Sequence, residues 1–94
     1  MDVQTPPRFS LGQTVATPGA MELLDRDGVS FITLLMRHAR GDFGDLDDED
    51  RQINEDAVRE GFRVLSSYEL ESGKVWVITE YDRSATTILL PSEY

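Results

Sequence analysis

Residues 62–90 read FRVLSSYELESGKVWVITEYDRSATTILL, and their pattern indicates three consecutive β-strands. Residues 62–70 alternate between two faces, whereas residues 74–81 are apolar on both faces. Residues 85–90 form a third run, which Pro91 stops. Ser72-Gly73 and residues 82–84 separate the runs in the way that tight turns do. We therefore expect a three-stranded antiparallel meander with residues 74–81 as its central strand.

Three helices are predicted before this meander. Thr17-Pro18 begins the first, over residues 18–25, because threonine caps well and proline fits the first helical position. Ser30 caps the second, over residues 31–40, and Asp47 caps a third that ends at Gly61. The fold class is thus α+β, with three helices packed on a three-stranded antiparallel sheet and room for a short extra N-terminal edge strand over residues 13–16. Residues 1–8 are expected to form a flexible arm, and residues 9–94 a single domain.

The helical spacing also predicts which side chains reach the core. The candidates are Met21 and Leu24 from the first helix, Phe31, Leu34, Leu35 and His38 from the second, Ile53, Ala57 and Val58 from the third, and Trp76 from the central strand.

Composition narrows the functional classes. The chain has 94 residues, with 18 acidic and 9 basic side chains and a net charge of −9. Phosphate backbones and anionic membranes repel such a protein, so we expect no direct nucleic-acid or membrane partner. The chain has no cysteine and one histidine, so no metal site and no cofactor is predicted. Without a secretory signal pattern or a long apolar run, a cytoplasmic location is expected.

Several motifs together resemble a known group of proteins. They are Leu11-Gly12-Gln13 with Thr17-Pro18-Gly19-Ala20, then residues 37–45 (RHARGDFGD), then residues 77–80 (VITE), residues 86–91 (TTILLP) and Tyr94. Nearly the whole chain resembles a family of small uncharacterised bacterial proteins that are often carried on plasmids and other mobile elements, although Phe43 stands where that family has tryptophan. The resemblance implies an accessory gene for maintenance, regulation or evasion of host defence.

The most unusual segment is acidic. Counted from Asp45, the sixth position is Asp50, where a calcium-binding loop needs glycine, so the segment does not match that motif. Carboxylates spaced like phosphates can instead occupy the arginines of a basic groove. Our leading hypothesis is a non-enzymatic protein-binding module that contacts a basic host protein, such as a nucleic-acid-binding complex, with an anti-CRISPR or anti-restriction inhibitor as its most concrete form. The predicted partner-binding residues are Asp42, Asp45, Asp47, Asp48, Glu49, Asp50, Glu55 and Asp56.

Two alternatives stay open at this point. One is a small enzyme or ligand-binding domain centred on His38, Asp42 and Asp45, with Asn54 across the site. The other is a regulator or antitoxin-like partner of a basic protein.

Two structural contacts are also predicted. Glu80 and Arg83 are expected to form an ion pair. An exposed sheet edge invites homodimer pairing unless residues 9–16 cover it.

Overall fold

The computed structural model describes residues 6–94, so the first five residues of the predicted arm lie outside the described residues. The elements in chain order are β1 (Gln13–Ala16), α1 (Pro18–Asp27), α2 (Phe31–Ala39), α3 (Asp48–Glu60), β2 (Val64–Leu70), β3 (Gly73–Thr79), β4 (Ala85–Leu89) and a short 3₁₀ turn, Pro91–Glu93. The α+β class and the three helices are confirmed.

The sheet differs from the prediction. It has four strands in the order β1-β4-β3-β2. The meander β2-β3-β4 is antiparallel, but β1 is a full member of the sheet and runs parallel to β4. The amides of Gln13 and Thr17 donate to the carbonyls of Ser84 and Ile88, both at 3.0 Å. The prediction of a purely antiparallel sheet is therefore wrong, because a four-residue strand carries no sequence signal for its partner or direction.

The predicted helix starts are confirmed by their caps. The side chains of Thr17, Ser30 and Asp47 accept hydrogen bonds from amides in the first turns of α1, α2 and α3. The Thr17 hydroxyl also donates to Glu93 at 2.6 Å, so one residue both caps α1 and anchors the C-terminal turn.

The β2–β3 hairpin turns one residue earlier than predicted. Leu70 pairs with Gly73, so the loop residues are Glu71 and Ser72. Asp27, at the end of α1, accepts hydrogen bonds from both the amide and the hydroxyl of Ser72. This distant contact holds the turn in that register.

One face of the sheet packs against α1 and α2. The buried side chains of this core are Ala20, Leu23, Leu24, Leu34, Leu35, Tyr68, Val75, Val77 and Ile88. A second cluster, formed by Phe43, Ala57 and Val64, lies beneath α3.

Three predicted core positions are corrected. On α1, Leu23 is buried and Met21 only partly so. On α3, Asn54 is buried, whereas Ile53 is 58% exposed. Trp76 belongs to neither buried cluster and instead packs edge-to-face on Tyr94, with ring centroids 5.6 Å apart. In each case the tertiary packing, rather than the helical or strand period, selects the buried side chain.

Candidate functional site

Five of the eight predicted partner-binding acids have partners inside the protein. Asp42 forms an ion pair with Arg37 at 2.7 Å, and Glu55 pairs with Arg8 at 2.6 Å. Asp56 pairs with Arg59 at 2.6 Å. The pKa values of Asp42, Glu55 and Asp56 are lowered, in each case chiefly by the hydrogen bond from the paired guanidinium.

Asp45 and Asp47 have backbone partners instead. The Asp45 carboxylate accepts from the amide of Glu69 at 2.6 Å, and Asp47 caps α3 by accepting from the amide of Asp50 at 2.9 Å. Substitution of either residue would change the fold as well as the surface charge. Whether any of these five also contacts another protein stays a prediction.

The other three acids form a separate group, which we call the acidic turn: Asp48, Glu49 and Asp50. They occupy the first turn of α3 and are exposed. Within residues 6–94, no hydrogen bond or ion pair involves their carboxylates. The nearby cation of Arg51 donates to the carbonyls of Leu46 and Gly44 instead, at 3.1 and 2.8 Å.

An apolar groove adjoins the acidic turn at Asp50. It has a volume of about 220 Å³ and is lined by Leu46, Asp50, Ile53, Asn54 and Leu65. Asp50 thus belongs to both features, and the exposed Ile53 lies on the same helix one residue before the buried Asn54. An apolar groove with a carboxylate in its lining can receive the stem and the charged head of a basic side chain.

The wall of this groove is also the outer edge of β2. The Asn54 side chain donates to the carbonyl of Leu65 at 2.6 Å and accepts from the amide of Leu65 at 3.1 Å. The Ser67 amide donates to the carbonyl of Phe43, and the Ser67 carbonyl accepts from the amide of Asp45. With Asp45 also capping the amide of Glu69, these contacts form what we call the β2 edge cover.

His38 lies in a separate buried network that sequence reasoning missed. Thr86 donates to the carbonyl of Leu11 at 2.7 Å, so the Thr86 oxygen accepts from Thr79, also at 2.7 Å. Thr79 must then accept from Nε2 of His38 at 2.9 Å. In the neutral ring, Nδ1 is left to accept from Ser66 at 2.6 Å. The chain of donors therefore selects the tautomer with its proton on Nε2.

The environment of His38 favours the neutral ring. The side chain is fully buried, and the rings of Phe9 and Phe43 pack edge-on against it. Burial lowers its pKa to about 3, with a smaller contribution from the charge of Arg83. Polar residues on the buried side of two strands, such as Ser66 and Thr79, were the sequence signal for this network.

The structure does not bring together the residues of the predicted enzyme site. His38 is bound to two hydroxyls in the interior, whereas Asp42 and Asp45 make separate contacts with Arg37 and the amide of Glu69. Asn54 faces the edge of β2. The groove is lined by none of His38, Asp42 and Asp45, although Asn54 is among its lining residues. The enzyme or ligand-binding alternative stays a prediction.

The predicted Glu80–Arg83 ion pair is wrong. The Glu80 carboxylate pairs with Arg63 at 3.2 Å. The Arg83 guanidinium donates to the carbonyls of Phe62 and Ala57 at 2.7 and 2.9 Å. A cation is favoured there because carbonyl oxygens at the C-terminus of α3 carry partial negative charge.

Comparisons with protein families, with curated proteins and with solved structures found no match. In the part of the chain that the structure describes, no three metal-ligating side chains are grouped to hold an ion. No helix among residues 6–94 is long and apolar enough to cross a bilayer.

Asn54 provides a test of the edge cover. We expect Asn54→Ala to lower the free energy of unfolding by about 2 kcal/mol, because two hydrogen bonds to Leu65 are lost. The Gln52→Ala variant removes an amide on the same helix whose side-chain hydrogen bond within residues 6–94 goes to Asp56, and it should cost less than about 0.5 kcal/mol. Urea unfolding measures both values, and hydrogen exchange at the Leu65 amide should accelerate only in Asn54→Ala. Equal losses in the two variants would contradict the assigned role.

Proposed function

We propose that this protein is a non-enzymatic binding module that docks a basic segment of another protein on its acidic turn and the adjoining groove. The observation that carries the proposal is a helical turn with three exposed carboxylates that have no cation partner within residues 6–94, one of which, Asp50, lines an apolar groove. The five other predicted acids are occupied by contacts within the fold, so the proposed contact surface narrows to Asp48, Glu49 and Asp50.

The electrostatics of the acidic turn support attraction of a cation. The N-terminus of a helix carries roughly half a positive charge, which stabilises acids in the first turn. Three carboxylates exceed that charge, and Arg51 is engaged with backbone carbonyls. The surface therefore stays negative, and the carboxylates need no internal cation for stability.

The groove adds an apolar contribution that charge alone does not supply. Exposed ion pairs contribute only about 0–1 kcal/mol each. A lysine or arginine whose stem packs on Leu46 and Ile53 while its head reaches Asp50 would also remove apolar surface from water. We therefore propose a partner that presents basic side chains on a segment with apolar neighbours.

The resemblance to proteins of mobile elements suggests the class of partner. A basic host protein that handles nucleic acid has the required charge, and inhibition of such a protein in a CRISPR or restriction complex is the specific form we propose. A regulator or antitoxin-like role would use the same surface, and the basic protein would then be encoded beside this one.

A charge-neutral triple variant tests the proposal. Asp48→Asn, Glu49→Gln and Asp50→Asn together should weaken binding to the purified basic partner by about 10- to 100-fold, because three exposed ion pairs of up to about 1 kcal/mol each are removed. The matched control replaces three exposed acids elsewhere, with Glu22→Gln, Asp25→Asn and Glu71→Gln. It changes the net charge equally and should retain most of the affinity.

The partner is first captured from nuclease-treated bacterial lysate with tagged protein and then measured by titration calorimetry at low and high salt. Affinity should fall as salt rises. Equal weakening by the two triple variants would mean that net charge, and not this site, governs binding. Failure of the protein to bind any basic protein would overturn the proposal altogether.

A further inference from the structure

The two edge strands of the sheet, β2 and β1, differ in whether their outward backbone groups have hydrogen-bond partners. At the β2 edge, the amides and carbonyls of Leu65 and Ser67 and the amide of Glu69 all have partners from the edge cover. Unpaired strand edges recruit other strands, and the edge cover leaves little of this edge unpaired. The predicted homodimer pairing is therefore disfavoured at β2.

The β1 edge is open. Gln13 and Thr17 donate to β4, and the parallel register pairs Thr14 with Thr86 and Ala16 with Ile88. Along a strand, the amide and carbonyl of one residue point toward one neighbouring strand, and those of the next residue point in the opposite direction. The amides and carbonyls of Thr14 and Ala16 therefore point away from β4. Within residues 6–94 these four groups have no hydrogen-bond partner.

The open edge coincides with an uncharged run. Residues 9–21 read FSLGQTVATPGAM and contain no charged side chain, whereas 29% of the whole chain is charged. Proteins commonly protect an edge strand with a lysine or another charge, and β1 has neither. Two copies that each carry a net charge of −9 can approach most closely along this uncharged run, which contacts the carboxylate of Glu93 at Thr17, beyond the end of β1.

We propose that β1 pairs with β1 of a second copy, antiparallel about a two-fold axis at Val15, to give one continuous eight-stranded sheet. In this register Thr14 of one copy faces Ala16 of the other. Each such pair exchanges two hydrogen bonds, so every outward amide and carbonyl of the two residues is used in both copies.

Val15 would meet its symmetry mate at the centre of this interface. It is 46% exposed and lies in one cross-strand row with Thr87 and Ile78. Directly opposed side chains in such a pair have Cβ atoms about 5 Å apart. Two valines there bury apolar surface, whereas two like charges repel.

Sedimentation of the intact protein tests the pairing. The monomer has a mass of 10.6 kDa, and the sample is scanned from about 1 µM to about 1 mM, which covers weak specific interfaces. Val15→Lys should weaken dimerisation by about 10- to 30-fold, because one apolar pair is lost and two ammonium groups meet at the axis. The control Ile32→Lys adds the same charge at a side chain that is 56% exposed on α2, and it should dimerise like the wild type.

Thr14→Pro provides a second variant that spares the fold. Its ring removes only the outward amide, because the β1–β4 hydrogen bonds come from Gln13, Val15 and Thr17. Thr14→Pro should therefore weaken the dimer. In the wild-type protein, hydrogen exchange should show protection of the Thr14 and Ala16 amides that rises with protein concentration. Leu65 and Ser67 should be protected at every concentration.

Three results would overturn the dimer. One is a wild-type protein that stays monomeric at about 1 mM, the upper end of the range for weak interfaces. Another is a dimer that Val15→Lys and Thr14→Pro leave intact. The third is a monomer whose Thr14 and Ala16 become protected only by an added extended peptide, which would assign the edge to another protein.

Salt separates this inference from the proposed function. Screening of the repulsion between two acidic copies should strengthen the dimer as salt rises, whereas binding of a basic partner should weaken. The acidic-turn variant leaves β1 unchanged, so either proposal can fail without the other.

Discussion

Gly44→Ala is expected to destabilise the fold by more than about 3 kcal/mol. Gly44 has φ +79° and pairs with Ser67 in an isolated parallel bridge. A Cβ atom there would overlap the Ser67 carbonyl and come within 2.7 Å of a Tyr68 ring carbon. The Ser67 carbonyl cannot move away easily, because the amide of Asp45 donates to it at 2.7 Å. Alanine would therefore push residues 43–45 off β2 and open the edge cover.

Gly61→Ala is the matched control. Gly61 has φ +85°, but a Cβ atom there meets nothing within 4 Å. The unfolding free energy lost in Gly61→Ala should equal the cost of placing alanine in left-handed backbone alone, about 1–2 kcal/mol. Urea unfolding of both variants isolates the steric overlap, and equal losses would show that the bridge does not hold the edge. Faster hydrogen exchange at Ser67 and Glu69 should appear in Gly44→Ala only.

The stability of the protein should fall by about 2 kcal/mol between pH 7 and pH 5 because of His38 alone. The folded state holds the ring neutral, with its pKa near 3, whereas the unfolded chain binds a proton near pH 6.5. Between these values the unfolded state binds more protons, so each unit of acidification favours unfolding by about 1.4 kcal/mol. The stabilisation is fully present above pH 6.5, and its loss approaches ~5 kcal/mol as the pH falls through 3.

Carboxylates make the stability of the fold sensitive to acid in a lower pH range than the histidine does. The pKa values of Asp27 and Glu93 are lowered by hydrogen bonds from Ser72 and Thr17 respectively. Stability from a lowered carboxyl pKa is present above the ordinary value of about 4 and is lost as pH falls. The interval from pH 7 to pH 5 therefore reports mainly on the histidine.

His38→Gln separates the two contributions. Glutamine can still donate to a hydroxyl and accept from another, but it does not titrate. This variant should be less stable at pH 7, because the ring packing on Phe9 and Phe43 is lost, and its stability should change little from pH 7 to pH 5. Urea unfolding at each pH gives the dependence of the unfolding free energy on pH for the wild type and for His38→Gln. The same dependence in both proteins would contradict a buried neutral ring.

Nuclear magnetic resonance of the wild-type protein measures the same property without a substitution. The chain contains one histidine, so its ring signals are unambiguous. They should show a proton on Nε2 and no titration between pH 7 and pH 5. A midpoint near 6.5 would mean that the ring is accessible to solvent.

The glycine prediction concerns the β2 edge beside the proposed contact surface. Gly44 and Asp45 hold that edge beside the groove, whereas His38 lies in the interior and packs edge-on against Phe43. Binding experiments should therefore change the acidic turn and leave residues 43–47 intact. A charge reversal that included Asp45 and Asp47 would report loss of folding together with loss of binding.

Local sequence determined the helix starts and the meander. Thr17, Ser30 and Asp47 cap helices because a short polar side chain can accept from an amide two or three residues ahead. The alternation over residues 62–70 likewise needed only period-two spacing and a two-residue turn. These features depend on neighbours in the chain, so a single sequence specifies them.

Tertiary structure alone decided the direction of β1 in the sheet, the β2 edge cover, and which of the predicted acids have partners inside the fold. Asp45 meets Glu69 across 24 positions, and Leu11 meets Thr86 across 75. No local pattern encodes such separations, because they follow from how helices and strands pack together. The same packing turned Asn54 inward and left Ile53 in solvent. It also engaged five of the eight predicted acids inside the fold, and it left the outward amides and carbonyls of Thr14 and Ala16 without a partner within residues 6–94.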